Sequence, residues 1–195
     1  MAKKYQTGST ITDFSFMTPW DGEKTFYSAG SGRKKVLFFL RYYGCTVTQL
    51  KLHELNAYRG KFYDAGAQLY VAMQSSVETV RSKIKKEDVD YEILCDPDGT
   101  LYRLFDIGYS HLGYFTKGMT TFPPGVTPPT QKYWDKLQGM IDEASAIGIT
   151  HDLYEGDEQQ LHAIFVLDEN NRALFAYYAE DVADFPSFDE LLGYL

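Results

Sequence analysis

The chain has 195 residues, 44% of them hydrophobic and 24% charged, which is enough to bury one sizeable core and short for two. A formal net charge of -8 and a pI near 5.0 repel phosphate backbones, and the short Lys/Glu/Asp run at 83–88 does not offset this, so nucleic acid is excluded as the expected partner. No apolar run approaches membrane-spanning length, and the lysines near the N-terminus lead into no apolar signal stretch; the expected location is the cytoplasm, with no membrane partner.

In chain order, an unbroken apolar run at 35–43 reads as a strand buried on both faces, and residues 45–66 read as a helix stopped by Gly66. Residues 67–76 form the next strand, 77–86 a short helix, 91–96 a strand, and 97–105 a turn into a helical segment. An insert follows from about 108 to 160, with Pro-Pro pairs marking loops and an amphipathic helix expected at 132–148, ended by Gly148. Then come a strand at 162–169, its hairpin partner at 170–180 and a closing helix at 187–195; the Asp-Glu-Asn-Asn turn between the strands offers Asn where a positive φ is needed. The order β-α-β-α-β-α-β-β-α describes a single α/β domain over 1–195. It resembles the thioredoxin-like plan of a central mixed sheet flanked by helices.

Only two cysteines occur, Cys45 and Cys95, with no C-x-x-C pair, which suits a reducing compartment and argues against a disulfide framework. Cys45 stands where a buried strand ends and a helix begins, the carboxyl edge at which parallel sheets gather reactive groups. Gly44 permits the tight turn, and the unpaired amides and positive dipole end of the helix favour a thiolate over a thiol. Thr48 can turn its hydroxyl to the same sulfur, and Arg41 and His53 are candidate cationic neighbours. The alternative is that Cys45 is a small packed residue, as buried free cysteines often are. Cys95 also lies at the sheet's carboxyl edge. Two strand spacings, about 10 Å, would separate it from Cys45, too far for a disulfide without local unfolding, so a packing role is expected.

The segments at 36–55, 91–108 and 161–192 together resemble the peroxiredoxin-like redoxins, the alkyl hydroperoxide reductase and thiol-specific antioxidant group, in the order of their blocks. The resemblance implies a thiol-dependent oxidoreductase, a peroxidase or monothiol reductase, acting on a peroxide or disulfide and regenerated by an external thiol. Two departures qualify it. The proline and threonine that precede a peroxidatic cysteine are missing, and Cys-Thr-Val-Thr matches a thioredoxin box whose second cysteine is replaced by Thr48, implying chemistry with one thiol. His162 stands where peroxiredoxins carry an arginine, and Ala163 where thioredoxins carry a cis-proline. The resemblance thus implies that His162 pairs with the Cys45 thiolate or protonates a leaving group, with Arg41 sharing that task.

No other motif implies a cofactor. His53, His111, His151 and His162 show no i,i+4 pairing or H-E-x-x-H pattern for a metal, and no phosphate-binding glycine loop follows a strand. Asp96-Pro97-Asp98-Gly99 lacks the spacing of a calcium loop and reads as a turn that starts a helix. The insert carries Tyr109, Tyr114, Phe115, Phe122, Tyr133 and Trp134, expected to form a lid or apolar pocket over the thiol, the surface of a homodimer, or simply a buried contact with the sheet. Its aromatic density also supports a second reading, an inactive module on the same fold that binds a small apolar ligand or a protein partner.

Overall fold

The computed structural model describes residues 3–110 and 129–195. Seven strands form one mixed sheet: β1 (Ser15–Thr18), β2 (Gly22–Thr25), β3 (Lys34–Phe39), β4 (Ala67–Met73), β5 (Glu92–Cys95), β6 (Ala163–Leu167) and β7 (Ala173–Tyr178), in the spatial order β2-β1-β5-β4-β3-β6-β7. The three central strands β3, β4 and β5 are parallel, while β6 pairs antiparallel with β3 and β7 with β6. The helices are α1 (Phe26–Ala29), α2 (Thr46–Asp64), α3 (Val77–Lys83), α4 (Thr100–Leu104), α5 (Gln131–Ala146) and α6 (Phe188–Leu192).

The sheet is covered on both faces, which is why β3 reads as a continuous apolar run rather than an alternating one. Val36 and Phe38 pack with Leu55, Phe62 and Val80 in one core layer, under α2 and α3. Leu37 and Phe39 face the other way, packing with Phe26, Phe105 and Phe165. The α/β sheet, its parallel centre and its terminal hairpin agree with the sequence reading; Asn171 takes the positive φ of the hairpin turn at 63°. Gly99, with φ 66°, opens α4, and Asp96 accepts hydrogen bonds from the Thr100 and Leu101 amides, which makes that stretch a helix-starting turn as expected.

One strand end and one hairpin depart from the sequence reading in ways that bear on the sheet. The first long strand ends at Phe39 rather than at 43, because Leu40 makes the last inter-strand bond, to Ala72, and the chain then turns, with the Cys45 amide donating to the Tyr42 carbonyl. The hairpin of β1 and β2, which β1 joins to the edge of β5, has no counterpart in the sequence reading. Its strands, Ser-Phe-Met-Thr and Gly-Glu-Lys-Thr, are four residues each and carry no apolar run.

Within the insert, α5 begins at Thr130, whose hydroxyl caps the Tyr133 amide, and stops before Gly148, whose φ is 79°. It lies against α2. Tyr114, Phe115 and Phe122, along with His111, fall outside the described residues; Tyr109 is half exposed, and Tyr133 and Trp134 pack ring to ring at 5.1 Å.

Candidate active site

Cys45 is the N-cap residue of α2, with extended backbone (φ -68°, ψ 126°) and no side-chain cap to the helix. The first amides of a nineteen-residue helix therefore have no intrahelical acceptor beside the sulfur, and the positive end of the helix falls there. Gly44 is required by a close approach: a Cβ at that position would stand 2.1 Å from the Leu153 carbonyl oxygen. The thiol itself is 3% exposed.

Arg41 turns inward. Its Nη1 donates to Cys45 Sγ at 3.5 Å and its Nη2 donates to the Glu158 carbonyl, while its plane lies over the Tyr42 ring. Its buried Nε has no hydrogen-bond partner among the described residues. An arginine so held supplies a fixed positive charge to a thiolate and a directed N–H to whatever approaches it.

The other expected groups are placed differently. Thr48 is buried, but among the described residues its hydroxyl makes no hydrogen bond to the sulfur. His53 is exposed on α2 and lines a separate surface depression with Tyr43 and Asn56. His162 is 1% exposed, its Nε2 donates to the Asp184 carbonyl at 2.5 Å, and its ring lies flat on Phe185 at 3.6 Å. Burial, reinforced by the charges of Arg41 and Lys51 and opposed by Asp184, depresses its pKa to about 3, so the ring is neutral at pH 7. Phe185 packs against the Tyr42, Cys45 and Val47 cluster on one side and His162 on the other.

The insert does cover the thiol. Leu137 and Met140 of α5 pack against that same cluster. After α5 the chain returns as a strap over the turn at Gly44: the Asp152 amide donates to the Gly44 carbonyl at 2.9 Å and Gln49 Nε2 to the Thr150 carbonyl at 3.0 Å. The strap is pinned further out by the Lys83–Asp152 ion pair at 2.5 Å and by Glu155, which accepts from the Ser76 amide and the Thr79 hydroxyl.

Sequence reasoning missed Tyr42, which shares the Cys45 cluster, and His151, which bonds to Tyr42. Tyr42, fully buried, meets His151 Nε2 at 2.9 Å, and His151 Nδ1 donates to the Asp152 carbonyl, which only accepts. Tyr42 stands inside an apolar run and reads as core, and His151 comes to it across more than a hundred residues, a pairing no local pattern announces.

Cys95 ends β5 opposite Met73 and Met17, two strands from β3, and both cysteines are free. Burial, then the nearby Glu155 and Glu78, push its thiol up to about 12, which keeps it protonated and unreactive. Among the described residues no group of three or more His, Cys, Asp and Glu side chains converges as a metal site.

Several solved redoxins share this fold. The peroxidoxin BcpB of Mycobacterium tuberculosis matches with a TM-score of 0.57 at 17% identity, covering 97% of this chain and 96% of that one. A yeast mitochondrial 1-Cys peroxiredoxin matches with a TM-score of 0.62 at 14% identity, covering 96% and 73%. A thiol:disulfide interchange protein DsbE described for Chlorobium tepidum matches with a TM-score of 0.57 at 12% identity, covering 97% and 96%. No curated protein matches the chain. The family model for AhpC/TSA matches residues 7–171, which takes in the β3–α2 junction, Arg41, Cys45, the insert and β6; the chain belongs to the AhpC/TSA family.

Proposed function

We propose that the protein is a thiol-dependent oxidoreductase that uses Cys45 as its only nucleophile, reduces a peroxide or a disulfide, and works in a reducing compartment such as the cytoplasm. The observation that carries this reading is the Arg41 Nη1 contact with Cys45 Sγ at 3.5 Å, made where the N-terminus of α2 already favours negative charge. With a peroxide, the thiolate attacks one oxygen, the O–O bond breaks, and a sulfur–oxygen bond forms. The sulfur is oxidised to a sulfenic acid while the departing oxygen takes a proton and leaves as an alcohol or water. The Arg41 guanidinium, whose Nη1 meets the sulfur, supplies positive charge beside that developing negative charge.

An external thiol then attacks the sulfenic sulfur, releasing water and leaving a mixed disulfide; a second thiol frees Cys45 and departs with the first as a disulfide. A disulfide substrate enters this sequence at the mixed disulfide. The need for an outside thiol rests on Cys95, which is buried, held protonated and two strands away. The yeast relative resolves its thiol through glutathione and thioredoxin systems, and a reductant of either kind fits the same step here.

Turnover of hydrogen peroxide, and of a small disulfide, with dithiothreitol as reductant tests the reading. Activity lost in Cys45→Ser and kept in Cys95→Ala supports it; activity that survives Cys45→Ser overturns it.

A further inference from the structure

Beside the thiol, along α2, lies a cavity of about 360 Å³, within the size range of small-molecule sites. Its walls are hydrocarbon: Phe38 and Leu40 from the end of β3, Leu55 from α2, Ile164 from β6 and Phe188 from α6. Met140 of α5 and Phe185 also line it, and both pack against the cluster of Tyr42, Cys45 and Val47. Apolar side chains lining such a site favour an apolar occupant, which removes them from water.

The charges at its rim settle what kind of occupant fits. Lys51 is paired with Glu54 at 2.7 Å, Asp189 with Lys61 at 3.4 Å, and Lys136 stands 4.0 Å from Asp184. The Tyr58 hydroxyl is turned to Asp189, and the Ser187 hydroxyl caps the Glu190 amide at the start of α6. Every charged side chain lining it already has an opposite partner, so a charged headgroup meets no unpaired countercharge there, whereas an uncharged apolar molecule needs none. We propose that this cavity binds an uncharged, largely hydrocarbon small molecule, held against Met140 and Phe185. The site is independent of the redox chemistry, because none of its lining residues reacts.

N-phenyl-1-naphthylamine, an uncharged fluorescent hydrocarbon-like probe, tests this on the full reduced chain and on Cys45→Ser. The expected result is saturable binding of one probe in both, displaced by 1-decanol and about tenfold less well by decanoate. Leu55→Trp, which fills the cavity from α2, should weaken binding about tenfold or more, and Met140→Trp, which fills it from α5, should do the same. Circular dichroism identifies which variants retain the fold. Probe binding that is absent, that persists unchanged in a folded filling variant, or that decanoate displaces as well as decanol overturns the proposal. Loss of peroxide turnover with probe binding intact would overturn the proposed reaction and leave this site standing.

Discussion

At the residue scale, Arg41 and His162 each make a measurable difference, one to the proposed chemistry and one to stability. Arg41 is held from both ends, by the Glu158 carbonyl and by the sulfur, so its charge stays beside Cys45 instead of swinging into water. A charge-assisted hydrogen bond contributes roughly 1.5–3 kcal/mol. Arg41→Ala should therefore slow alkylation of Cys45 by iodoacetamide at pH 7 about tenfold; an unchanged rate would remove Arg41 from the mechanism. His162 has a different use. Its pKa falls from an unfolded value near 6.5 to about 3 because it is buried. Below pH 6.5 the unfolded chain takes up a proton that the folded chain refuses, so stability is full above that pH and is lost as pH falls toward 3. The slope from this group is about 1.4 kcal/mol per pH unit. Urea midpoints measured from pH 7 to pH 4 should fall more steeply in the native protein than in His162→Gln; equal slopes would mean the ring is not kept neutral by burial.

At the element scale, the strap after α5 is what encloses the thiol, and Gly44 is the point at which it touches the active-site turn. A methyl group there meets the Leu153 carbonyl at 2.1 Å. Gly44→Ala should destabilise the fold by about 1–3 kcal/mol, read by urea denaturation. Because the displaced strap also carries the Asp152 amide and the Glu158 carbonyl, the same variant should alter the alkylation rate of Cys45, whereas an overpacking change on the far face of the sheet should not. The elements that hold this arrangement were legible to different degrees. The β3–α2 junction could be read because a fully apolar run, a glycine and a helical pattern follow one another within the chain. The helix of the insert could be read from its own periodicity and Gly148. The contacts Arg41–Glu158 and Tyr42–His151 could not, because each joins residues more than a hundred positions apart and depends on where the strap comes to rest. His162, which the resemblance leads one to expect at the thiolate, stacks on Phe185 and bonds the Asp184 carbonyl, while Arg41 is the cation on the sulfur.

On the scale of the whole molecule, the sheet order separates the two cysteines. β4 lies between β3 and β5, and Cys95 sits in the core layer under α2 and α3 with its thiol protonated. The N-terminal hairpin extends the sheet beyond Cys95 and covers that edge, a consequence of long-range pairing by two four-residue strands whose own sequence carries no strand signal. The proposed redox cycle therefore draws on one internal thiol and takes the second from outside. The most direct measurement is a single turnover: the reduced native protein receives one equivalent of hydrogen peroxide, dimedone traps any sulfenic acid, and peptide mass spectrometry locates it. The expected result is a dimedone adduct on Cys45 formed equally fast in the native protein and in Cys95→Ala, with no Cys45–Cys95 disulfide in either trapped or untrapped samples. A disulfide between the two cysteines, or a Cys45 that reacts no faster than a free cysteine in solution, would contradict a single activated thiol.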